Sequence, residues 1–522
     1  MSAEAAVEAI GDGATIAVGG TGGTVEPDAV LDSLESRYLT TGHPRELDII
    51  SPMCPGERPG EGGLNCVAHD GMLRRIVSAS FVPGRHPRLL KMITSGECEA
   101  YTASMGALVQ LMTAAGSDKP GVFTRAGLGS FLDPRLGGGS MNARSSHPPC
   151  RVVEVDEREY IYYPAPKVDV AIIRGSIADE DGYISCEEES NILAVADIAM
   201  AAHASGGIVI AQVDRVVKRG TLDPQLVRIP AALIDVVVIA PRSEAPVSPG
   251  LAPLSGREPS MSGRERGVDD NVQLVTATAS RMILRRAALE LREGDVLNLG
   301  AGVPTHLPRV LYEAGVLKRV TVTNEHGVFG GLLGTAFGGT FVPSINPLAI
   351  MDSTFQFNFY DGGGLDTAFL GMGEVDPVGN VNVSRFGPVI NGSGGFTNIT
   401  EGASRVVFCG TLTAGGLQVE QDGDRLKITR EGKHRKFVRT VEQVTFNGPR
   451  AIERGQQVLY VTERAVFDLT PDGLRLAEVA PGIDAERDVI ASMGFTPIVA
   501  APPRTFPATV LGRGALVKEP SP

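Results

Sequence analysis

Two segments of this chain recur in the same order, and no other feature narrows its fold so far. Residues 12–20 (DGATIAVGG) align with residues 293–301 (EGDVLNLGA): Gly13 or Gly294 opens an apolar strand, and Gly19 or Gly300 follows six positions later. Further on, DVAIIRGSIADEDGYIS starts at Asp169 and DTAFLGMGEVDPVGNVNV at Asp366, with a glycine 13 positions after each aspartate, at Gly182 and Gly379. Both read as strand, turn and short hairpin. One echo can arise by chance in a chain with 64 glycines, but two in the same order point to a duplicated unit.

Short β-branched runs at 15–18, 47–50, 168–173, 208–211 and 236–239 alternate with helix-like stretches such as 27–36. That rhythm is α/β with a largely buried sheet. The expectation is two tandem, structurally related open α/β domains with mostly parallel sheets, over 1–240 and 272–522. A chain of 522 residues exceeds what one core usually holds, so each half is expected to bury its own centre. Residues 241–271, rich in Pro, Ser, Gly and charge, read as a linker that forms no packed element. Beyond it, residues 276–295 offer a Thr or Ser cap, apolar residues at helical spacing and a closing Gly294, which predicts an amphipathic helix before a strand at 296–299.

Whole classes of function are excluded by composition. The formal charge of −13, from 48 Lys+Arg against 61 Asp+Glu, repels nucleic acid and anionic membrane surfaces. No apolar run is long enough to span a bilayer, and the first residues lack a signal-peptide pattern, so a soluble cytoplasmic protein is expected. Cys54, Cys66, Cys98, Cys150, Cys186 and Cys409 are scattered singly and read as reduced, mostly structural thiols. The eight histidines are isolated or flank glycine turns, and no metal or triad role is assigned to them.

The strongest chemical signal is VTVTNEHGVFGG, where a strand at 320–323 runs into Asn324, Glu325, His326 and Gly327, then Gly330 and Gly331. A carboxylate at the carboxyl end of a strand lies on the edge where open α/β sheets bind ligands, and the three glycines would leave room beside it for another molecule. An arbitrary glutamate after a strand is usually a surface residue; the glycine context argues otherwise here. In the first half the matching strand ends in Ser51-Pro52, so the carboxylate is no repeated structural necessity, and one active site per chain is expected. Upstream, Gly300-Ala301-Gly302 followed by Pro304 aims backbone N–H groups at one point, fit for an anion or oxyanion. As a dinucleotide fingerprint the same stretch is weak, with Thr305 in place of the third glycine. Gly394 and Gly395, in NGSGGFTNIT, offer another exposed N–H or form an ordinary loop. Met105, Leu108 and Met112 read as core, while Tyr101 and Gln110 are candidates to line the cleft.

Taken together, GDGATIAVGGTGG, PGVFTRAGLGSFLDPRLGG, KVDVAIIRGSIADEDGYIS, LGAGVPT, NEHGVFGG and GSGGFTNIT, in this order, resemble the family I coenzyme A transferases of the fused single-chain type, over nearly the whole length. The resemblance implies that Glu325 is the thioester-forming glutamate and that backbone N–H groups at Ala301, Gly302, Gly394 and Gly395 are its oxyanion donors. It also implies that Gly300, Asn324, Gly327, Gly330 and Gly331 line the CoA and substrate site. Implied partners are an acyl-CoA and a free carboxylic acid, short-chain with acetate or a 3-oxo acid, in a homodimer or homotetramer. CoA enters as substrate, with no further cofactor and no metal. Asn324 and His326 depart from the residues that commonly flank the nucleophile in single-chain relatives, which bears on substrate preference.

The chemistry accounts for the residue type. A carboxylate that attacks a thioester gives a mixed anhydride and CoA thiolate, and the thiolate returns to the enzyme's carbonyl to form a glutamyl-CoA thioester. Serine would trap the acyl group as a lower-energy oxygen ester. An acyl-CoA thioester hydrolase on the same fold is the alternative; a ligand-binding sensor and a nicotinamide oxidoreductase are the rivals from other classes.

Overall fold

A computed structural model describes residues 1–56, 61–241, 259–267, 274–335, 341–512 and 516. In the first half, β1 (Thr15–Val18), β2 (Leu47–Ser51), β3 (Leu73–Ser78), β4 (Glu99–Thr102), β5 (Val170–Arg174), β6 (Ile208–Val213) and β7 (Val236–Ile239) form one sheet. Its order is β7-β6-β5-β1-β2-β3-β4, and every pairing is parallel. In the second half, β8 (Val296–Leu299), β9 (Thr321–Asn324), β10 (Val328–Phe329), β11 (Ala349–Ile350), β12 (Leu365–Gly371), β13 (Ala403–Cys409) and β14 (Gln457–Val461) are followed by β15 (Ala465–Thr470), β16 (Gly473–Val479) and β17 (Ile498–Thr505). These lie in the order β11-β10-β9-β8-β12-β13-β14-β15-β16-β17, with a parallel centre, antiparallel pairings on either side of it and a parallel outermost pair β16–β17.

The two sheets share a five-strand centre, β7-β6-β5-β1-β2 in one and β14-β13-β12-β8-β9 in the other. Both repeated motifs occupy equivalent places in it. Asp169 accepts a hydrogen bond from the Thr15 N–H through Oδ2 at 2.9 Å, and Asp366 accepts one from the Val296 N–H through Oδ2 at 2.8 Å. Each aspartate thus ties the start of one strand to its neighbour by the same contact. The hairpins that follow are also matched, Ile177–Asp179 with Ile184–Ser185 and Glu374–Val375 with Val381–Asn382. In each sheet the strand order reverses beside the first strand, between β1 and β5 or between β8 and β12, which is where ligands of open α/β sheets bind.

Local expectations are modified at element ends. The stretch foreseen at 27–36 is a helix over Asp28–Thr41 (α1), ended by Gly42 in the left-handed region. The helix foreseen after the linker spans Thr278–Ala288; it is preceded by Ala277 with no side-chain cap, and Gly294 serves the later turn into β8. Most of the 241–271 linker lies outside the described residues. Its described part does pack: Asn346 donates through its N–H to the Ser260 carbonyl at 2.8 Å and accepts from the Gly267 N–H at 2.7 Å.

Each half buries a centre of its own, around Ile16 and Leu34 in the first and around Leu299 and Leu311 in the second, and a third buried cluster is shared between them. The shared cluster runs from Ala17 and Leu108 in the first half to Phe357 and Met493 in the second. The cause is helix placement, since Met105–Gly116 (α2) packs against Ser353–Asp361 (α3) from the other half, in contact with Phe396–Gly402 (α4). The Met105 N–H donates to the Gly394 carbonyl at 2.9 Å, and the Gly106 N–H donates to Asn398 Oδ1 at 3.0 Å. No helix among the described residues is long and apolar enough to cross a membrane.

Candidate active site

Glu325 follows directly on the last residue of β9, next to the point where the strand order reverses. The Asn324 side chain fixes the turn, its Oδ1 accepting from the N–H groups of His326 at 3.0 Å and Val328 at 3.4 Å. Asn324 therefore spends its carbonyl oxygen on the backbone. β1–β2 register sets Thr15 beside Asp48 and β8–β9 register sets Val296 beside Thr321, so Ser51 corresponds to Asn324 and Pro52 to Glu325. The first half has no carboxylate at this position.

The glycines beside Glu325 make room for the chain's own backbone. A Cβ on Gly327 would stand 2.1 Å from the Met351 carbonyl oxygen, one on Gly330 2.5 Å from Leu348 Cγ, and one on Gly331 2.5 Å from the Ile345 carbonyl oxygen. All three have positive φ. They let the chain fold tightly against its own 345–351 segment, which explains them without a ligand. Gly300 is similarly constrained: it is buried, a Cβ there would lie 2.8 Å from Leu370 Cδ2, and its N–H donates to the Phe369 carbonyl at 2.8 Å. Thr305 closes the same turn by donating through Oγ1 to the Gly300 carbonyl at 3.1 Å, which accounts for a threonine where a dinucleotide motif needs glycine. Ala301 and Gly302 are exposed, and nothing lies within 4 Å of the Cβ position at Gly302.

Gly395 and Gly394 part company. The Gly395 N–H faces the Glu325 carboxylate, and a Cβ on Gly395 would fall 1.9 Å from Glu325 Oε2 and 3.0 Å from Phe357 Cζ. Gly394, expected as an oxyanion donor, gives its N–H to the Ala79 carbonyl at 2.7 Å and so anchors the loop to the first half.

Burial dominates the electrostatics. Glu325 is 7% exposed, and loss of water pushes its carboxyl up to about 7, against the opposing pull of the Gly395 N–H. His326 is held down to about 4 by burial and by Arg85 from the first half, so its imidazole is neutral at pH 7. Gly22 makes room for that arginine, for a Cβ there would be 2.5 Å from Arg85 Nη1. Tyr360 lies in the field of Glu325; its hydroxyl accepts from Asn298 Nδ2 at 3.0 Å and is 2.8 Å from Thr323 Oγ1. Sequence reasoning missed Arg85, Phe357 and Tyr360. The one available signal was the buried stripe of α3, whose packing partners a sequence does not show.

Other expected candidates are engaged elsewhere. Tyr101 is fully buried, and its hydroxyl accepts from the His147 N–H at 3.1 Å. Gln110 donates through Nε2 to Asn358 Oδ1 at 3.1 Å and Asp361 Oδ2 at 2.8 Å, joining the halves. Three histidines that look isolated in sequence have partners about thirty positions away: His43 with Asp12 at 2.9 Å, His69 with Glu35 at 2.7 Å and His86 with Cys54 Sγ at 3.5 Å. Parallel crossovers bring such distant pairs together. Among the described residues no group of three or more His, Cys, Asp or Glu could hold a metal ion.

Comparison with known proteins agrees over the whole length. The coenzyme A transferase family pattern matches residues 1–240. Acetate CoA-transferase YdiF of Escherichia coli (strain K12) is 39% identical over 502 residues, covering 96% of this chain and 92% of that protein. Caffeate CoA-transferase of Acetobacterium woodii is 37% identical, covering 96% and 95%. The crystal structure of acyl-CoA transferase YdiF from E. coli O157:H7, a thioester complex with CoA, superposes with a TM-score of 0.90 at 37% identity, over 99% of this chain and 96% of that one.

Proposed function

The chain belongs to the coenzyme A transferase family and moves CoA from an acyl-CoA to a carboxylic acid, and we propose that Glu325 is its covalent nucleophile. One observation carries the assignment: a buried carboxylate at the ligand-binding edge, absent at the equivalent Pro52, with the Gly395 N–H directed at it.

The Glu325 carboxylate attacks the thioester carbonyl, the acyl–sulfur bond breaks, and a glutamyl–acyl anhydride and CoA thiolate result. The thiolate attacks the glutamyl carbonyl and releases the acid, leaving CoA on Glu325. An acceptor carboxylate then runs the two steps in reverse. Each addition places negative charge on a carbonyl oxygen, and a preorganised N–H at Gly395, with the exposed Ala301–Gly302 turn as the second candidate, stabilises it by about 3 kcal/mol per donor. Burial serves the same end, since a poorly hydrated carboxylate is a better nucleophile and the anhydride is kept from water. Thioester energy is held on Glu325 throughout, so this reading needs no resident cofactor or metal.

Acetyl and other short-chain acyl-CoA, with acetate or a 3-oxo acid, are the proposed substrates, on the strength of the likeness to the acetate CoA-transferase. The enzyme is read as a cytoplasmic homodimer or homotetramer, in keeping with a charge of −13 that disfavours anionic membranes. Incubation with acetyl-CoA alone should add the mass of one CoA at the peptide containing Glu325, and labelled acetate should exchange into acetyl-CoA. Glu325→Gln should form no adduct and lose transfer by roughly 10⁴-fold or more. CoA release that ignores added carboxylate would convert the reading to hydrolysis; an adduct at another residue would overturn Glu325.

A further inference from the structure

A half-open cavity of about 30 Å³ lies between the halves, its walls including Leu128 of the first and Thr397, Glu401, Arg450, Arg454 and Gln456 of the second. It follows α4 and a further helix, Gly448–Glu453 (α5), which carries Arg450 and ends at Arg454. Gln456 Nε2 donates to the carbonyls of Thr400 at 2.7 Å and Ala403 at 2.6 Å, beside the first residues of β13 and β14. Both strands run parallel to β8 and β9, so this end of the sheet is the one opposite Glu325. A single water takes on the order of 10–15 Å³ of such space, so the cavity admits a group of a few heavy atoms.

Charge around this space does not balance. Glu401, the one acid among the described lining residues, holds Arg454 Nη1 at 2.7 Å, Arg450 Nη2 at 3.2 Å and Arg125 Nε, from the first half, at 3.8 Å. Three guanidiniums on one carboxylate leave two positive charges over, in a chain whose net charge is −13. Loss of water holds the Arg454 guanidinium below its usual range, as do Arg450 and Arg125, with Glu401 pulling the other way. Hydrogen bonding is incomplete as well: Arg450 Nε and Gln456 Oε1 are buried with no partner among the described residues. One is a donor and the other an acceptor, since the Gln456 Nε2 is committed to two carbonyls. A ligand that answers both carries a negative oxygen and a hydroxyl.

We propose that this cavity is a binding site for a small oxyanion that also bears a hydroxyl, hydrogen phosphate being the simplest, and that it is separate from the site of CoA transfer. Guanidinium forks match the spacing of phosphate oxygens and keep their charge at every working pH, so Arg450 and Arg454 suit this ligand. A water could satisfy the two orphaned atoms but would leave the excess positive charge unmet. The anion answers both needs at once.

Calorimetric titration of the full-length protein with sodium phosphate at neutral pH, at an ionic strength held constant with sodium chloride, tests this. Wild type should take up one phosphate per chain, equally with and without saturating CoA. Arg450→Gln removes a charged hydrogen bond and should weaken uptake roughly tenfold or more. Arg125→Gln removes only a more exposed charge and should weaken it about threefold, which carries the test should the first variant not fold. Sulfate, which has no hydroxyl for Gln456, should bind roughly tenfold more weakly, and equal uptake of the two anions overturns the hydroxyl requirement. No uptake beyond that of chloride leaves the orphaned atoms to water and overturns the proposal. Uptake that both substitutions leave unchanged, or that CoA abolishes, places the phosphate elsewhere, in the second case in the substrate cleft, and overturns it too. None of these readings depends on which residue is the nucleophile.

Discussion

A carboxyl that titrates near neutrality in the folded protein makes Glu325 a measurable liability as well as a nucleophile. Its folded value of about 7 lies above its ordinary 4.5, so the folded chain holds this proton more tightly than the unfolded chain does. The resulting stability is present in full below the unfolded value and is lost as pH rises through about 7, in total about 3 kcal/mol. Glu325→Gln removes the burial of charge, so its urea midpoint should exceed that of wild type at pH 8 and match it at pH 4. For the first half-reaction, kcat/KM for acyl-CoA should rise about tenfold per pH unit below 7 and level off above it, following ionisation of the nucleophile in the free enzyme. A flat profile from pH 5 to 8 would show that another step limits the rate. Glu325 itself was legible in sequence because its strand end and glycines are contiguous. Arg85 and Tyr360 were not, since their relation to the site exists only once strands and helices from distant segments are packed.

Elements explain why a glycine-rich motif is a poor guide to which glycine does what. Gly327 and Gly302 both have positive φ, 93° and 88°, yet a side chain at the first meets the Met351 carbonyl oxygen at 2.1 Å and one at the second meets nothing within 4 Å. Gly327→Ala carries both left-handed strain and a backbone collision, and should cost about 3 kcal/mol or more in urea unfolding. Gly302→Ala carries backbone strain alone, at φ 88° and ψ −136° in a region adopted almost only by glycine, and should cost about 1–3 kcal/mol with no collision added. Equal losses in the two would mean that the β9–β10 turn relaxes more easily than its contacts with the 345–351 segment suggest. Spacing made the turns visible, but only register distinguishes a glycine that accommodates the chain's own backbone from one that faces solvent. The same limit misplaced Gly394: its sequence neighbour Gly395 has its N–H on Glu325, while Gly394 is bound to Ala79.

Duplication was read from sequence because each copy keeps its strand pattern, but the buried cluster shared between the halves was not, since helix faces do not declare which neighbour they will cover. Its consequence is thermodynamic. α2 from the first half lies in the same buried cluster as Phe357 and Ile399 of α3 and α4, whose loop and side chains bound Glu325. If the halves had only their separate centres and no shared cluster, a cavity in α2 would loosen the first half and leave the second untouched. Leu108 is 1% exposed within the common cluster, so Leu108→Ala should remove about 3 kcal/mol and lower the midpoint of a single calorimetric transition by roughly 3 °C for a chain of this size. Hydrogen exchange should then accelerate in β12 and β13 as much as in β1 and β5. Two separated transitions, with faster exchange confined to residues before the linker, would restore the picture of independent halves. A single transition means that the cleft around Glu325 is formed only when both copies of the duplicated unit are folded, and that the half without a nucleophile is retained as a wall of the site.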